Sequence, residues 1–263
     1  MPFIEVQNTR LHYQIDGKED APVLVLSNSL GTDMGMWDAQ LSSLTAHFRV
    51  VRYDTRGHGQ SDVSLPGDNE GYTIDQLGQD IVSLLDKLDI QRAHFCGLSM
   101  GGMTGIWLGI HAPERLNKLV LCNTAAKIGT PELWNARIDT VLHKGMSAIT
   151  NAVIERWFTP RFQEHFPQKI APITQMLLSS PVAGYNAACA AVRDMDQRAD
   201  LNKITVPTLV IAGTHDTATP AADGRYAADH IPNARYVELD AAHLSNIEAE
   251  EPFTAELLNF LLN

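Results

Sequence analysis

The chain has 263 residues, of which 44% are hydrophobic and 19% charged, so it is long enough for a sizeable core and too apolar for a disordered chain. Its net charge of −11 argues against nucleic acid and anionic membrane surfaces as partners, because an acidic chain repels phosphate groups. The sequence shows no signal peptide and no run near the roughly 18 apolar residues of a membrane span, which predicts a cytoplasmic protein. Three widely spaced cysteines predict neither a disulfide framework nor a metal site.

Short apolar runs of strand length alternate with helical patterns along most of the chain. Residues 4–6 and 11–15 predict an N-terminal hairpin. Further strands are predicted at 23–27, 49–53, 93–97, 119–122, 208–212 and 236–239, and helices at 37–44, 73–88, 100–111 and from Pro252 to Leu262. Thr73 is a plausible N-cap of the second helix. This alternation predicts an α/β fold, with a mostly parallel central sheet flanked by helices.

The middle of the chain has a different pattern, with no convincing strand between residues 126 and 199. Helices are predicted at 134–142, 149–157, 173–178 and 185–192, and prolines punctuate them. We therefore expect a core formed by residues 1–125 and 200–263, with a helical cap of residues 126–199 over the C-terminal edge of the sheet. The cap has a net charge of +2 and the rest of the chain −13. This asymmetry either favours an anionic ligand or arises by chance.

The strongest local motif is Gly97-Leu98-Ser99-Met100-Gly101, between a predicted strand and a predicted helix. A serine on so sharp a turn needs small neighbours, and both flanking residues are glycines. The motif predicts Ser99 as a nucleophile at a helix N-terminus, although a glycine-rich turn without function would give the same pentapeptide.

A serine hydroxyl needs a general base, and the base needs a residue that orients it. His243 follows a late strand within small residues, and Asp216 follows the strand before it. The order serine, acid, histidine is typical of α/β-hydrolases. Asp216 as a helix cap and His243 as a structural loop residue are the alternatives, and His215 is a rival base. We prefer His243 because sequence neighbours such as His215 and Asp216 rarely face each other properly.

The oxyanion of an acyl-transfer reaction needs two N–H donors. We expect Met100 to supply one and Leu30, in the loop after the strand 23–27, the other. The loop of residues 54–61 is expected to be scaffold that shapes the pocket.

These motifs together resemble the 3-oxoadipate enol-lactone hydrolases of the α/β-hydrolase superfamily. The resemblance rests on Asn28-Ser29-Leu30-Gly31-Thr32, on the loop 54–61, on the serine motif with Gly102, on Gly213-Thr214-His215-Asp216 and on Ala242-His243-Leu244-Ser245-Asn246, and it covers essentially the whole chain. It implies an α/β-hydrolase fold, a small anionic lactone from aromatic degradation by the β-ketoadipate pathway as substrate, and no metal or organic cofactor. The triad roles carry over to Ser99, Asp216 and His243.

The cap adds an expectation about the substrate. Trp134, Arg137, Ile138 and Val141 share one helical face, and an arginine on an apolar face must find a partner or reach water. We expect Trp134 and Arg137 to contact the substrate, with Arg137 holding its carboxylate, and Arg161 is a second candidate. A snorkelling arginine or an internal salt bridge is the alternative.

Two other functions fit the same sequence. One is a general carboxylesterase or perhydrolase-like enzyme using the same triad. The other is a binding module without catalysis, since a fold does not fix a function. A monomer and a small homo-oligomer are both compatible with the sequence.

Overall fold

The computed structural model describes residues 2–65, 67 and 71–263, and an eight-stranded sheet lies at its centre. The strands are β1 (Phe3–Val6), β2 (Thr9–Asp16), β3 (Val23–Ser27), β4 (Arg49–Tyr53), β5 (Ala93–Leu98), β6 (Leu116–Cys122), β7 (Thr208–Gly213) and β8 (Arg235–Leu239). Their order is β1-β2-β4-β3-β5-β6-β7-β8. The β1–β2 and β2–β4 pairs are antiparallel and all the others are parallel. The predicted hairpin and the mostly parallel sheet are confirmed.

Helices connect the strands and cover the sheet. They are α1 (Asp38–Thr45), α2 (Ile74–Lys87), α3 (Met100–His111), α4 (Pro131–Lys144), α5 (Ser147–Trp157), α6 (Pro160–His165), α7 (Pro167–Ser179), α8 (Val182–Asp194), α9 (Ala221–His230), α10 (Ser245–Glu248) and α11 (Glu250–Leu262). Helices α4 to α8 all lie between β6 and β7 in the chain. No helix in the described part of the chain is long and apolar enough to cross a membrane.

Helix α2 shows how the local sequence determines where a helix begins and which face it buries. The Thr73 hydroxyl accepts a hydrogen bond from the Gln76 N–H, and the Gln76 side chain accepts from the Thr73 N–H, which completes a capping box. Leu77, Ile81 and Leu84, at helical spacing, are buried against the sheet. Burying each such leucine or isoleucine is worth about 1.5–3 kcal/mol, so the apolar face fixes which side of α2 meets the core.

Three helices differ from the sequence expectations. Pro172 lies inside α7, although a proline usually ends a helix. Helix α7 also begins earlier than predicted, at Pro167. Helix α6 has only six residues between two prolines, too few for a periodic pattern. Helix α9 was not predicted because its alanines and charged residues give a weak apolar face.

The parallel register gathers the carboxyl ends of the central strands at one edge of the sheet. Ser27 pairs with Gly97, Leu98 with Cys122, and Gly213 with Leu239. The loops after β3, β5, β6, β7 and β8 therefore leave the sheet at the same edge. This edge is where the candidate residues of the sequence analysis come together.

Two of the three cysteines pack inside the core behind this edge. The Cys96 and Cys122 sulfur atoms lie 3.8 Å apart on neighbouring strands, and both residues are fully buried. Burial raises the pKa of the Cys122 thiol, and the contact with Cys96 raises it further. Both therefore behave as apolar core residues.

Candidate active site

Ser99 occupies a strained turn between β5 and α3. Its φ is +58° and its ψ −117°, a backbone conformation that a residue with a side chain rarely adopts. The Ser99 N–H donates to the Cys122 carbonyl at 2.9 Å, and the Thr124 hydroxyl donates to the Ser99 carbonyl at 2.7 Å. These bonds hold the backbone in place and leave the side chain at the start of α3, where the helix dipole favours negative charge.

The glycines beside Ser99 are required by space. A Cβ on Gly97 would lie 2.1 Å from the Gly101 carbonyl oxygen, and one on Gly101 would lie 2.3 Å from the Ser27 carbonyl oxygen. Real Cβ atoms do not come this close to backbone, so strand β3, strand β5 and helix α3 can only meet where these glycines stand.

His243 and Asp216 meet although 27 positions separate them in the chain. The His243 Nδ1 and the Asp216 Oδ2 lie 2.8 Å apart, and both side chains are buried. Asp216 follows β7 and His243 follows β8, so the pairing of these two strands brings the residues together. An acceptor at Nδ1 favours the tautomer with the proton on that atom, which leaves Nε2 free to accept a proton.

A network of donors surrounds the Asp216 carboxylate. One oxygen accepts from the Ala218 and Thr219 N–H groups at 2.8 and 2.9 Å, and the other accepts from the Thr219 hydroxyl at 2.8 Å and the Asn123 amide at 3.0 Å. Burial alone would raise the pKa of Asp216. The His243 charge and these hydrogen bonds outweigh it and hold the pKa below its ordinary value. The carboxylate therefore stays ionised at neutral pH.

The side chain of His215, the rival base, contacts a different carboxylate. Its Nε2 lies 2.8 Å from an Asp240 carboxylate oxygen, and both side chains are exposed. This geometry separates His215 from the Asp216 carboxylate and from the cavity that Ser99 lines.

The expected oxyanion donors are the N–H groups of Leu30 and Met100. Neither the Leu30 N–H nor the Met100 N–H donates to an acceptor of the described residues. The Gly101 N–H donates to the Asn28 carbonyl at 3.0 Å, which attaches the loop after β3 to the serine turn. Both amides are thus held on rigid backbone without a partner, as a developing oxyanion requires.

The loop after β4 serves as scaffold for this arrangement. The buried Asp54 carboxylate accepts from the Met34 and Gln60 N–H groups, each at 2.9 Å, and lies 2.7 Å from the His12 Nδ1. A Cβ on Gly59 would lie 2.4 Å from this carboxylate, so only glycine fits there. His58 is buried in the same loop, and burial lowers its pKa.

Ser99 and His243 line one cavity of about 380 Å³ between the sheet edge and the cap. Leu30 lies on its wall, and so do residues of α4, α5 and α8, among them Trp134, Arg137, Val153, Arg156, Trp157 and Tyr185. The cavity is large enough for a small molecule of a few rings and is lined by both apolar and charged groups.

Two arginines of the cap face this cavity, Arg137 from α4 and Arg156 from α5. The Arg137 guanidinium lies 5.1 Å above the Trp134 ring, and neither arginine forms an ion pair with a carboxylate of the described residues. Partial burial lowers the pKa of Arg156, and the nearby charge of Arg137 lowers it further. Two like charges without a counter-ion at one wall favour an anionic ligand.

Arg161 is not brought to this cavity. It lines a neighbouring cavity of about 720 Å³ with Phe158, Phe162 and His215, on the other side of Thr217. In the sequence, Arg161 is the second and weaker candidate beside Arg137, and of these two only Arg137 shares a cavity with Ser99. Arg156 lines that cavity too, three residues after Val153 on helix α5, and the sequence analysis does not single it out.

Asn123 and Thr219 are further neighbours of the His243–Asp216 pair that the sequence analysis missed. Asn123 follows β6 directly, with a positive φ of 44°, a conformation that asparagine tolerates better than most residues. A polar residue immediately after a central strand is the available signal, and Asp216 lies in the corresponding loop, three residues after the end of β7.

Comparisons with known proteins agree with this fold. The sequence profile of the alpha/beta hydrolase fold matches residues 22–250. The chain is 42% identical over 250 residues to 3-oxoadipate enol-lactonase 2 of Acinetobacter baylyi, covering 95% of this chain and 92% of the relative. It is 44% identical over 247 residues to 3-oxoadipate enol-lactonase 1 of the same organism, covering 94% and 91%.

A solved structure resembles the chain over its whole length. The enol-lactonase from Burkholderia xenovorans LB400 is 48% identical and superposes with a TM-score of 0.96, covering 100% of both chains. These likenesses support an ester-hydrolysing enzyme. The chain therefore belongs to the α/β-hydrolase family and, within it, to the 3-oxoadipate enol-lactonases.

Proposed function

We propose that the chain hydrolyses 3-oxoadipate enol-lactone to 3-oxoadipate through an acyl-enzyme, in the cytoplasmic breakdown of aromatic compounds. The observation that carries the proposal is a cavity lined by Ser99, by His243 bonded to Asp216, and by two arginines that form no ion pair with a carboxylate of the described residues. The relatives support the hydrolysis of enol-lactones, and the geometry of the cavity supports the proposed residue roles.

The reaction begins when the Ser99 oxygen attacks the lactone carbonyl and His243 takes the hydroxyl proton. The negative charge on the carbonyl oxygen is stabilised by the N–H groups of Leu30 and Met100. Asp216 holds the imidazole in the required tautomer and stabilises its positive charge. The ring C–O bond then breaks, and the enolate oxygen receives a proton from His243.

The leaving group of a lactone stays attached to the acyl chain, so ring closure competes with hydrolysis. Conversion of the released enol to its ketone removes that nucleophile. Water then attacks the acyl-enzyme, with His243 taking its proton, and the acid and free Ser99 are released. No step needs a metal or organic cofactor.

Arg137 is proposed to bind the carboxylate of the substrate side chain, with Trp134 forming the adjacent wall. Arginine suits this role because its planar guanidinium can donate two parallel hydrogen bonds to a carboxylate. Arg156 adds a second positive charge at the same wall.

The test is a substrate panel measured with the purified chain. It compares freshly generated 3-oxoadipate enol-lactone with an uncharged lactone, neutral short esters and a peroxide-plus-acetate mixture. We expect the highest kcat/KM on the anionic lactone. A higher kcat/KM on neutral esters would identify a general carboxylesterase, and formation of peracid would identify a perhydrolase-like enzyme. Absence of hydrolysis and of labelling by a fluorophosphonate would identify a binding module.

A further inference from the structure

Hydrogen bonds hold the loop that carries His243 on both sides of the histidine, one to Glu248 of helix α10 and one to the cap. The Ala242 N–H donates to a Glu248 carboxylate oxygen at 2.9 Å, and the Leu244 N–H donates to the Trp157 carbonyl at 3.1 Å. Trp157 ends helix α5 and lines the cavity of Ser99. The backbone around His243 is therefore bonded to the chain segment that forms a wall of the cavity.

Glu248 joins the two parts through a single carboxylate. Besides the Ala242 N–H, it accepts from the Thr159 N–H, at 3.2 Å to each oxygen, and from the Thr159 hydroxyl. Thr159 belongs to the cap and precedes helix α6. Hydrogen bonds to an ionised acceptor are about twice as strong as those between neutral groups, so this half-buried carboxylate is a firm link.

A second side chain of the core, Asn123, also binds this loop. The Asn123 amide donates to the Ala242 carbonyl at 3.1 Å, so side chains bind both backbone polar groups of the residue before His243. The Ser245 hydroxyl donates to the Asn123 Oδ1 at 2.5 Å, which fixes the orientation of the amide. Asn123 lies at the end of β6 and Glu248 lies in α10, and Glu248 extends this link to the cap through Thr159.

We propose that Glu248 is a positioning residue that couples the junction of α5 and α6 to His243, so that the cavity wall and the general base keep one relative position during the reaction. This proposal rests on the proposed role of His243. It predicts that loss of Glu248 lowers turnover more than substrate binding, because the imidazole loses its alignment while the wall residues remain.

The experiment uses Glu248→Ala, Thr159→Val and the double variant, with kcat and KM measured on the enol-lactone and on p-nitrophenyl acetate. Thr159 also caps α6, since its hydroxyl accepts from the Phe162 N–H at 3.2 Å. Thr73→Val is the matched control, because the Thr73 hydroxyl caps α2 in the same way, from the Gln76 N–H at 3.1 Å, without contacting the His243 loop.

We expect Glu248→Ala to lower kcat by about tenfold or more, since small misplacements of a reacting group have large effects, with KM changed by less than about twofold. Thr159→Val should lower kcat in the same direction but less, because its N–H still reaches Glu248. Relative to Glu248→Ala, the double variant should lose no more kcat than Thr73→Val loses relative to the native chain. Multiplicative effects in the double variant, or a kcat of Glu248→Ala equal to that of Thr73→Val, would overturn the proposal.

The ester separates this proposal from the proposed substrate. If the native chain hydrolyses p-nitrophenyl acetate but not the lactone, the substrate assignment is wrong, and the variants still test Glu248 on the ester. If the native chain hydrolyses the lactone and Glu248→Ala keeps its full kcat on both substrates, only the role of Glu248 is wrong.

Discussion

Replacing Arg137 by methionine tests how the cavity selects its substrate. Methionine keeps most of the length and apolar contact of the side chain but removes the charge and all its donors. Arg137 lines the cavity of Ser99 and has no carboxylate partner among the described residues, so its charge can attract an anionic ligand. Hydrogen bonds from a charged group contribute about 1.5–3 kcal/mol each, and about 1.4 kcal/mol corresponds to tenfold in binding. We therefore expect KM for the anionic lactone to rise between about tenfold and about a hundredfold. Because Arg156 remains, the lower end is expected.

The assay compares this rise with that for an uncharged lactone of the same ring size, for which KM should change little. Arg161→Met is the matched control, because it removes an arginine of the same cap from the neighbouring cavity. The effect of Arg137→Met should weaken as salt concentration increases, since ions screen the attraction between the arginine and its ligand. Equal changes in KM for the charged and the uncharged lactone would refute the reasoning.

Three further changes test the environment of the site and of the core. Asp216→Asn should lower kcat on the lactone by a factor on the order of 10³–10⁴, because the amide cannot stabilise the His243 charge; a kcat within tenfold of the native value would contradict this. Asn123→Leu removes a donor that helps keep the pKa of Asp216 low, so the acid limb of kcat/KM should move to higher pH, and an unmoved limb would show that the amide does not act on the pair. Burial, with a smaller contribution from the Lys118 charge, lowers the pKa of His94 from 6.5 to about 4. The folded chain thus binds this proton less readily than the unfolded chain, and His94 contributes stability above pH 6.5 that is lost as pH falls towards 4. Chemical denaturation between these pH values should show a smaller loss of stability for His94→Phe than for the native chain.

Much of the fold could be predicted from the sequence because local patterns determine it. Apolar runs marked the central strands, and the Thr73 cap marked the start of α2. The elements that were missed lack such patterns. Helix α6 is shorter than two turns, and Pro172 is accepted inside α7 although a proline usually ends a helix.

The candidate site likewise contains residues that could be predicted from the sequence and residues that could not. Ser99, Asp216 and His243 could be placed because each lies in the turn or loop after a strand, and parallel strands bring their carboxyl ends to one edge. The contributions of Arg156 and Glu248 depend on how the cap packs on the core, which no local pattern encodes. The same packing places Arg137, the first candidate, at the cavity of Ser99 and Arg161, the weaker candidate, at the neighbouring cavity.

The most direct test of the account is the rate at which Ser99→Ala hydrolyses freshly generated 3-oxoadipate enol-lactone, followed by the loss of the lactone's ultraviolet absorbance. The account predicts a folded variant whose kcat is lower than that of the native chain by a factor on the order of 10³ or more, because the proposed acyl-enzyme cannot form without the Ser99 oxygen. A variant that retains a kcat within about tenfold of the native value would contradict the assignment of Ser99 and the acyl-enzyme with it.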